Sequence, residues 1–311
     1  MSGSTDDHLI PRVTDEVVQR YRDNYSIPAD VSVTTEMVEQ HTKLEYELKE
    51  TLLASTPESR CETWAQSYDR LYRELPWLAA ATPVDTNSVD IHHGHFLKLI
   101  PPGSRVIEIG SGVGTLATYL TDNDRPCVAT EITDHRGQRT DGKVSWHSTD
   151  GINLREYEPD ASYDVVLSTQ VIEHFHPEDV KRHFEGAYEI LRPGGQYILE
   201  TPHALFGPAD LSRVFSLDRP HFMHLKEYTH RELGAVARQA GFQEVVAIYI
   251  PPMSVRKKVP FVLRSRLLYK FLSATERLFG RRRPPRVFLR LLLFHGNVFM
   301  AATKSVSDTG R

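Results

Sequence analysis

Three acids and a run of glycines stand at spacings that could hold a charged nucleoside. From Val106 to Gly114 the chain reads Val-Ile-Glu-Ile-Gly-Ser-Gly-Val-Gly, an apolar strand whose end carries Glu108-x-Gly110-x-Gly112-x-Gly114. Glycines at a strand-to-helix turn let the backbone approach a ligand with no Cβ in the way. A dinucleotide loop would need G-x-G-x-x-G, and the third of those positions is Thr115. Glu108 would repel a pyrophosphate but suits a cationic amino group. Glu131, 17 residues past Gly114, ends the next apolar run, where an acid can accept hydrogen bonds from both hydroxyls of a ribose. Asp150-Gly151 follows a third run, where a carboxylate can bond an adenine amine.

These groups need a scaffold, and the hydropathy pattern supplies one. Apolar strands over 105–109, 126–131, 144–147, 163–168, 196–200, 242–249 and 297–303 alternate with helices over 115–121, 177–191 and 229–240. The helix over 177–191 is expected to stop at Arg192-Pro193-Gly194-Gly195. Strand–helix alternation of this kind predicts a doubly wound α/β sheet. Upstream, Met37, Leu44, Leu48 and Leu52 keep helical spacing, as do Trp64, Tyr68, Leu71, Tyr72 and Leu75. Residues 1–30 read as a polar tail with one short helical stretch near Glu16–Tyr21, and His92, His93 and His95 as a helix start.

With 311 residues and 40% hydrophobic content, the chain can bury a core and is not a disordered one. Two distant cysteines, Cys61 and Cys127, exclude a disulfide framework and a cysteine zinc motif. No basic leader with an apolar stretch and no long apolar run is present, so a cytoplasmic protein is expected. The charge is uneven. Twelve Lys and Arg between Arg256 and Arg290 face one acid, Glu276, so this segment carries +11 while the rest carries −15. Phe261, Leu267, Phe271 and Leu278 are interleaved with the cations, which suits an amphipathic helix on an anionic surface better than a solvated loop.

The glycine segment, Thr130-Glu131-Ile132, Asp150-Gly151, Tyr163-Asp-Val-Val-Leu-Ser-Thr-Gln-Val-Ile-Glu-His174 and Leu191-Arg-Pro-Gly-Gly-Gln-Tyr-Ile-Leu-Glu-Thr-Pro202 together resemble the class I S-adenosylmethionine-dependent methyltransferases. The likeness covers about residues 96–250 and resumes at 297–304. It implies a mainly parallel, seven-stranded Rossmann-like sheet with S-adenosyl-L-methionine as cofactor. Glu108 and Gly110 would face the methionine part, Glu131 the ribose, Asp150 the adenine, and Gln170 the sulfonium end. Ser111, Gly112, Gly114, Ile132 and Gly151 complete the implied cofactor set.

Within that family the Ile-Glu-His element resembles ubiquinone-type and small-RNA O-methyltransferases. It implies a base for a hydroxyl acceptor: His174, with Glu173 beside it, or one of His203, His221 and His224. The RNA enzymes use Glu-x-x-Glu-His and a later histidine to hold a divalent ion such as Mg2+. Here the first of those acids is replaced by Gln170, leaving Glu173, His174 and His224 as the implied ligands.

The expected organisation is therefore a tail and helical lid over 1–95, a cofactor-binding core over 96–250, a basic insert over 251–296 and a last core strand over 297–311. The strand over 242–249 is expected to run parallel to its neighbours, and the insert to cap the substrate entrance. The acceptor expected is a hydroxyl on a lipid-linked, glycan or other anionic molecule, with peripheral attachment to an anionic membrane through 256–290. An RNA 2′-O-methyltransferase and a non-catalytic cofactor-binding scaffold are the alternatives. RNA is disfavoured because the insert is rich in aliphatic rather than stacking side chains.

Overall fold

A computed structural model describes residues 11–81, 89–133, 142–251, 261–280, 282–292 and 296–306. These fall into two compact units, one within Met1–Val84 plus Gly207–Leu225, the other within Asp85–Phe206 plus Lys226–Arg311.

The first unit holds helices α1 (Asp15–Tyr25), α2 (Thr35–Ala54), α3 (Arg60–Glu74) and α4 (Pro76–Ala81). Thr14 and Thr34 cap α1 and α2 by accepting from the amides of Val17 and Met37. Val17 and Tyr21 on α1 pack with Val38 of α2 and with Leu211, Val214, Phe215 and Phe222 of the 207–225 segment. Tyr21 is fully buried and its hydroxyl bonds His41 Nδ1 at 2.7 Å, so residues 13–27 are part of a core rather than the expected tail. The change follows from Val13, Val17, Tyr21 and Ile27, too sparse to read as a helix face without their partners. Lys49 Nζ donates to the carbonyls of Pro220 and His224, tying the late segment to α2.

The second unit begins with the short helices α5 (Val89–His93) and α6 (Phe96–Leu99), so His92 and His93 end a helix instead of starting one. Its sheet contains β1 (Val106–Ile109), β2 (Cys127–Glu131), β3 (Ser145–Ser148), β4 (Tyr163–Thr169), β5 (Leu191–Pro202), β6 (Glu244–Tyr249), β7 (Leu263–Ser265) and β8 (Asn297–Thr303). The order is β3-β2-β1-β4-β5-β8-β6-β7. Helices α7 (Thr115–Asp122), α8 (Leu154–Tyr157), α9 (Val180–Ile190), α10 (His230–Gln239), α11 (Arg266–Phe279) and α12 (Arg286–Leu291) connect or cover the strands. Strands β1 to β5 are mutually parallel; β1, β2 and β4 are buried on both sides, as their apolar runs require, whereas the edge strand β3 is largely exposed. Val106, Leu116, Leu120, Val165, Leu167, Ile198 and Phe299 lie in one core cluster.

Three expectations are corrected. The sheet has eight strands and not seven, because Leu263–Ser265 of the insert pairs with Ala247–Tyr249. β6 is antiparallel to both bonded neighbours, β7 and β8, since β8 enters between β5 and β6 in the opposite direction. The Pro193-Gly194-Gly195 break lies inside β5, where Gly194 takes φ +81 and its amide bonds the Lys304 carbonyl at 3.2 Å.

Strand order reverses between β1 and β4, which are adjacent yet lead in opposite directions through the sheet. In open α/β sheets that switch point leaves a crevice beyond the carboxyl ends of the strands. The glycine loop after β1 and residues 170–174 after β4 both open there. No helix among the described residues is long and apolar enough to cross a membrane.

Candidate active site

The site is built at the carboxyl ends of β1, β2 and β4. β1 carries Glu108 into the interior, where the side chain is almost wholly buried. Its Oε2 has no hydrogen-bond partner, and burial pushes the carboxyl up to about 8. A buried carboxyl with an open acceptor is costly unless something cationic meets it.

The loop that follows is held from both sides. Ser111 Oγ donates to the Glu108 carbonyl at 3.0 Å and accepts from the Thr130 amide at 3.1 Å. Gly110, Gly112 and Gly114 all adopt left-handed φ, of +67, +60 and +78. A Cβ on Gly110 would lie 2.7 Å from Val171, whereas one on Gly112 would meet nothing within 4 Å. Gly110 is therefore needed for packing, and Gly112 leaves open space at the mouth of the loop. Gly114 caps α7, whose amino end adds a positive dipole to the crevice.

Glu131 ends β2 with Oε1 accepting from the Gly112 amide at 2.6 Å and Oε2 from the Ile132 amide at 3.3 Å. It is half-exposed. Asp150 is engaged differently. Its Oδ1 accepts from the amides of Ile152 and Asn153, at 2.8 and 2.7 Å, and its Oδ2 from the Asn153 side chain. Its first role is to close the Gly151 turn, where Gly151 takes φ +68 against Phe175 and Ile109.

The turn is braced from beneath by groups that the sequence reading did not single out. His183 on α9 bonds the Gly151 carbonyl through Nδ1 and the Tyr197 hydroxyl through Nε2, and that hydroxyl bonds Ser168 Oγ at 2.8 Å. A carbonyl only accepts, so Nδ1 carries the proton and Nε2 accepts from Tyr197. Burial holds His183 in this neutral form and lowers it to about 4. One buried chain thus links β4, β5, α9 and the turn.

Past β4, Gln170 is exposed and takes φ +57, a conformation uncommon for a residue with a Cβ. Its amide bonds the Glu200 carbonyl at 2.8 Å, which holds it there. A single 3₁₀ turn, Ile172–His174, follows. Glu173 is fully buried and accepts from Thr201 Oγ1 at 2.7 Å, while His174 keeps part of its ring exposed. The two side chains are 4.0 Å apart, beyond hydrogen-bond distance. Of this pair His174 is the one that can meet an acceptor.

The other histidines differ in placement. His203 is fully buried, with Nε2 bonded to Glu276 at 3.0 Å and Nδ1 accepting from the Leu205 amide at 3.0 Å. Both ring nitrogens are committed, so it is not the base considered above. His221 and His224 belong to the first unit. Of the implied metal ligands, Glu173 and His174 belong to the second unit and His224 to the first.

Comparison with known proteins adds to this geometry. A family model described as a methyltransferase domain matches residues 89–247. A probable S-adenosylmethionine-dependent methyltransferase of Mycolicibacterium smegmatis is 30% identical over 144 residues, 45% of this chain and 52% of that protein. An S-adenosyl-L-methionine-dependent Diels-Alderase of Talaromyces variabilis is 28% identical over 109 residues, 32% of this chain and 37% of that protein. The aligned stretches thus span about half or less of these curated relatives. Among solved structures, a SAM-dependent methyltransferase from Archaeoglobus fulgidus overlays with a TM-score of 0.49 at 17% identity, covering 71% of this chain and 95% of that one.

Proposed function

The chain belongs to the methyltransferase-domain family, and we propose that it transfers the methyl group of S-adenosylmethionine to a hydroxyl of an anionic acceptor. The observation that carries this reading is Glu108. A buried carboxyl with an unpartnered oxygen, beside an open glycine mouth at the switch point, suits the ammonium of an amino-acid moiety.

The residues present fit that cofactor. Glu108 would pair with its ammonium, and Glu131, anchored by Gly112, would accept from the ribose hydroxyls. The Asp150-Gly151 turn, braced by His183, would border the adenine, with Gln170 and Ile132 at the rim. When bound, S-adenosylmethionine supplies a methyl carbon already activated by its sulfonium. What remains for the protein is to position the acceptor oxygen and to take its proton, the task assigned to His174. Glu173, buried against Thr201, would hold the 3₁₀ turn that presents His174.

An anionic acceptor, glycan or lipid-linked, is favoured by the exposed cations of α11 and α12. A use of the cofactor without methyl transfer is favoured by the name of the Talaromyces relative. The test is turnover of methyl-labelled S-adenosylmethionine by the full chain against hydroxylated lipid-linked glycans, soluble anionic glycans and RNA. Label on an oxygen of a glycan acceptor, lost in H174A with cofactor affinity unchanged, supports the proposal. Label in RNA alone would move the acceptor to a ribose 2′-hydroxyl. Tight cofactor binding with no labelled product from any of them would contradict methyl transfer.

A further inference from the structure

We propose that the outer faces of α11 and α12 form a docking surface for an anionic phospholipid bilayer. The inference stands on surface chemistry and holds whether or not the acceptor reading does.

α11 has three sides. Leu268, Tyr269, Leu272, Thr275 and Glu276 are buried against the unit. Gly234 on α10 permits this approach, since a Cβ there would fall 1.9 Å from the Tyr269 hydroxyl. On the outer side, Leu267, Phe271, Ala274 and Leu278 follow i, i+4, i+7 and i+11, one line along the helix. Arg266, Lys270 and Arg277 form a second line directly beside it, and all three are exposed. Leu267 is 78% and Leu278 85% exposed. On α12 the arrangement recurs, with Val287, Phe288 and Leu291 exposed next to Arg286 and Arg290.

Scattered apolar side chains on a surface mean little, but clustering does. Eight of the eleven large apolar side chains exposed among the described residues lie between Phe261 and Leu291. The same stretch exposes Arg264, Arg266, Lys270, Arg277, Arg282, Arg283, Arg286 and Arg290. The sole acid in the Arg256–Arg290 segment, Glu276, is turned inward and spent on buried donors. The helices therefore contribute cations and apolar side chains but no acid to the outward face, where Arg266 of the α11 line pairs with Glu244 of β6. This is the pattern that seats in the headgroup layer of an anionic leaflet. Because α11 is already folded and fixed by its third side, docking does not require helix formation.

The surface also lies at the functional edge of the sheet. Glu276 bonds His203, which directly follows the carboxyl end of β5, and Arg286 donates to the Phe206 carbonyl at 2.8 Å. The end of α11 and the start of α12 thus return to the edge on which β1, β4 and β5 end.

The test is flotation of the full chain with vesicles of phosphatidylcholine alone or mixed with phosphatidylglycerol, beside two variants, L267S/F271S/L278S and K270Q/R277Q. Melting temperature and cofactor binding, read in parallel, check that both variants remain folded. Capture of the native chain by the anionic vesicles and not the neutral ones is expected. K270Q/R277Q should partition about 30-fold more weakly, the loss of two surface cations. The apolar variant should lose capture even at low salt. Absence of anionic capture, equal capture by neutral vesicles, or capture unchanged in both variants would overturn the proposal. So would salt-sensitive RNA binding without vesicle binding, or a dimer that the apolar variant dissociates while neither form floats.

Discussion

The Gly112 amide donates to Glu131 Oε1 at 2.6 Å, so the glycine loop after β1 and the acid at the end of β2 form one preset unit. The bond orients the carboxylate before any ligand arrives. E131A removes both the loop anchor and the acceptors. A loss of about 100-fold in affinity for S-adenosylmethionine is expected, from two charge-assisted hydrogen bonds of about 1.5 kcal/mol each. Calorimetric titration of the two proteins checks it, with a melt to confirm that E131A is folded.

Glu108 gives a pH dependence with a definite sign. Its folded carboxyl is raised to about 8 from an ordinary 4.5, so the folded state holds the proton more tightly. That stabilisation is complete below the ordinary carboxylate range and is lost as pH rises through about 8. The ligand-free protein should therefore melt at a lower temperature at pH 8 than at pH 5, other groups being equal. In E108Q this slope should flatten, and E108Q should be the more stable protein at pH 8 yet bind S-adenosylmethionine more weakly. Melting curves from pH 4 to 9, with and without cofactor, separate the two effects.

His183 titrates in the opposite sense. Its folded form is lowered to about 4 from 6.5, so the stability it contributes is present above 6.5 and is lost as pH falls through about 4. The span amounts to about 3 kcal/mol. H183Q should be less stable at neutral pH and show a shallower decline between pH 6.5 and 4, measured by urea unfolding. Since His183 braces Gly151, its loss should also weaken cofactor binding several-fold.

Glu276 fastens the insert. It accepts from His203 and His230 side chains and from the amides of His230 and Arg231 at the amino end of α10. Burial alone would raise its carboxyl, but the His203 and His230 side chains outweigh that effect and lower it to about 2, so its contribution is full above 4.5 and is lost as pH falls toward 2. E276A should destabilise the protein by about 3–5 kcal/mol, the loss expected when one partner of a buried charged cluster is removed. Hydrogen exchange should rise first in α11 and the start of α10.

Much of this arrangement was legible in the chain. β8 coincides with the apolar run Asn297–Thr303, and β1 with Val106–Ile109, because both are buried on each side and bounded by turn residues. Glu108, Gly110, Gly112 and Glu131 meet at one crevice because strand–loop–helix units place successive strand ends side by side. Other features depend on partners distant in sequence. Leu263–Ser265 has no strand pattern of its own and is a strand through its pairing with β6. Glu276 reads as one acid in a basic run, and only the positions of His203 and His230 make it a buried anchor. His183 looked like one of fifteen histidines until Tyr197 and Gly151 closed on it. Sparse apolar residues in α1 acquired meaning only from the 207–225 segment.

The proposed site turns on a nucleoside-type cofactor held between Glu108 and Glu131. Calorimetric titration of S-adenosylmethionine into the full chain, E108Q and E131A tests it in one experiment. We expect one site in the native chain, a marked loss in E131A, and weaker binding in E108Q that is most evident above pH 8, where the native carboxyl is ionised. Absence of binding to the native chain, or equal affinity in all three proteins, would contradict the account.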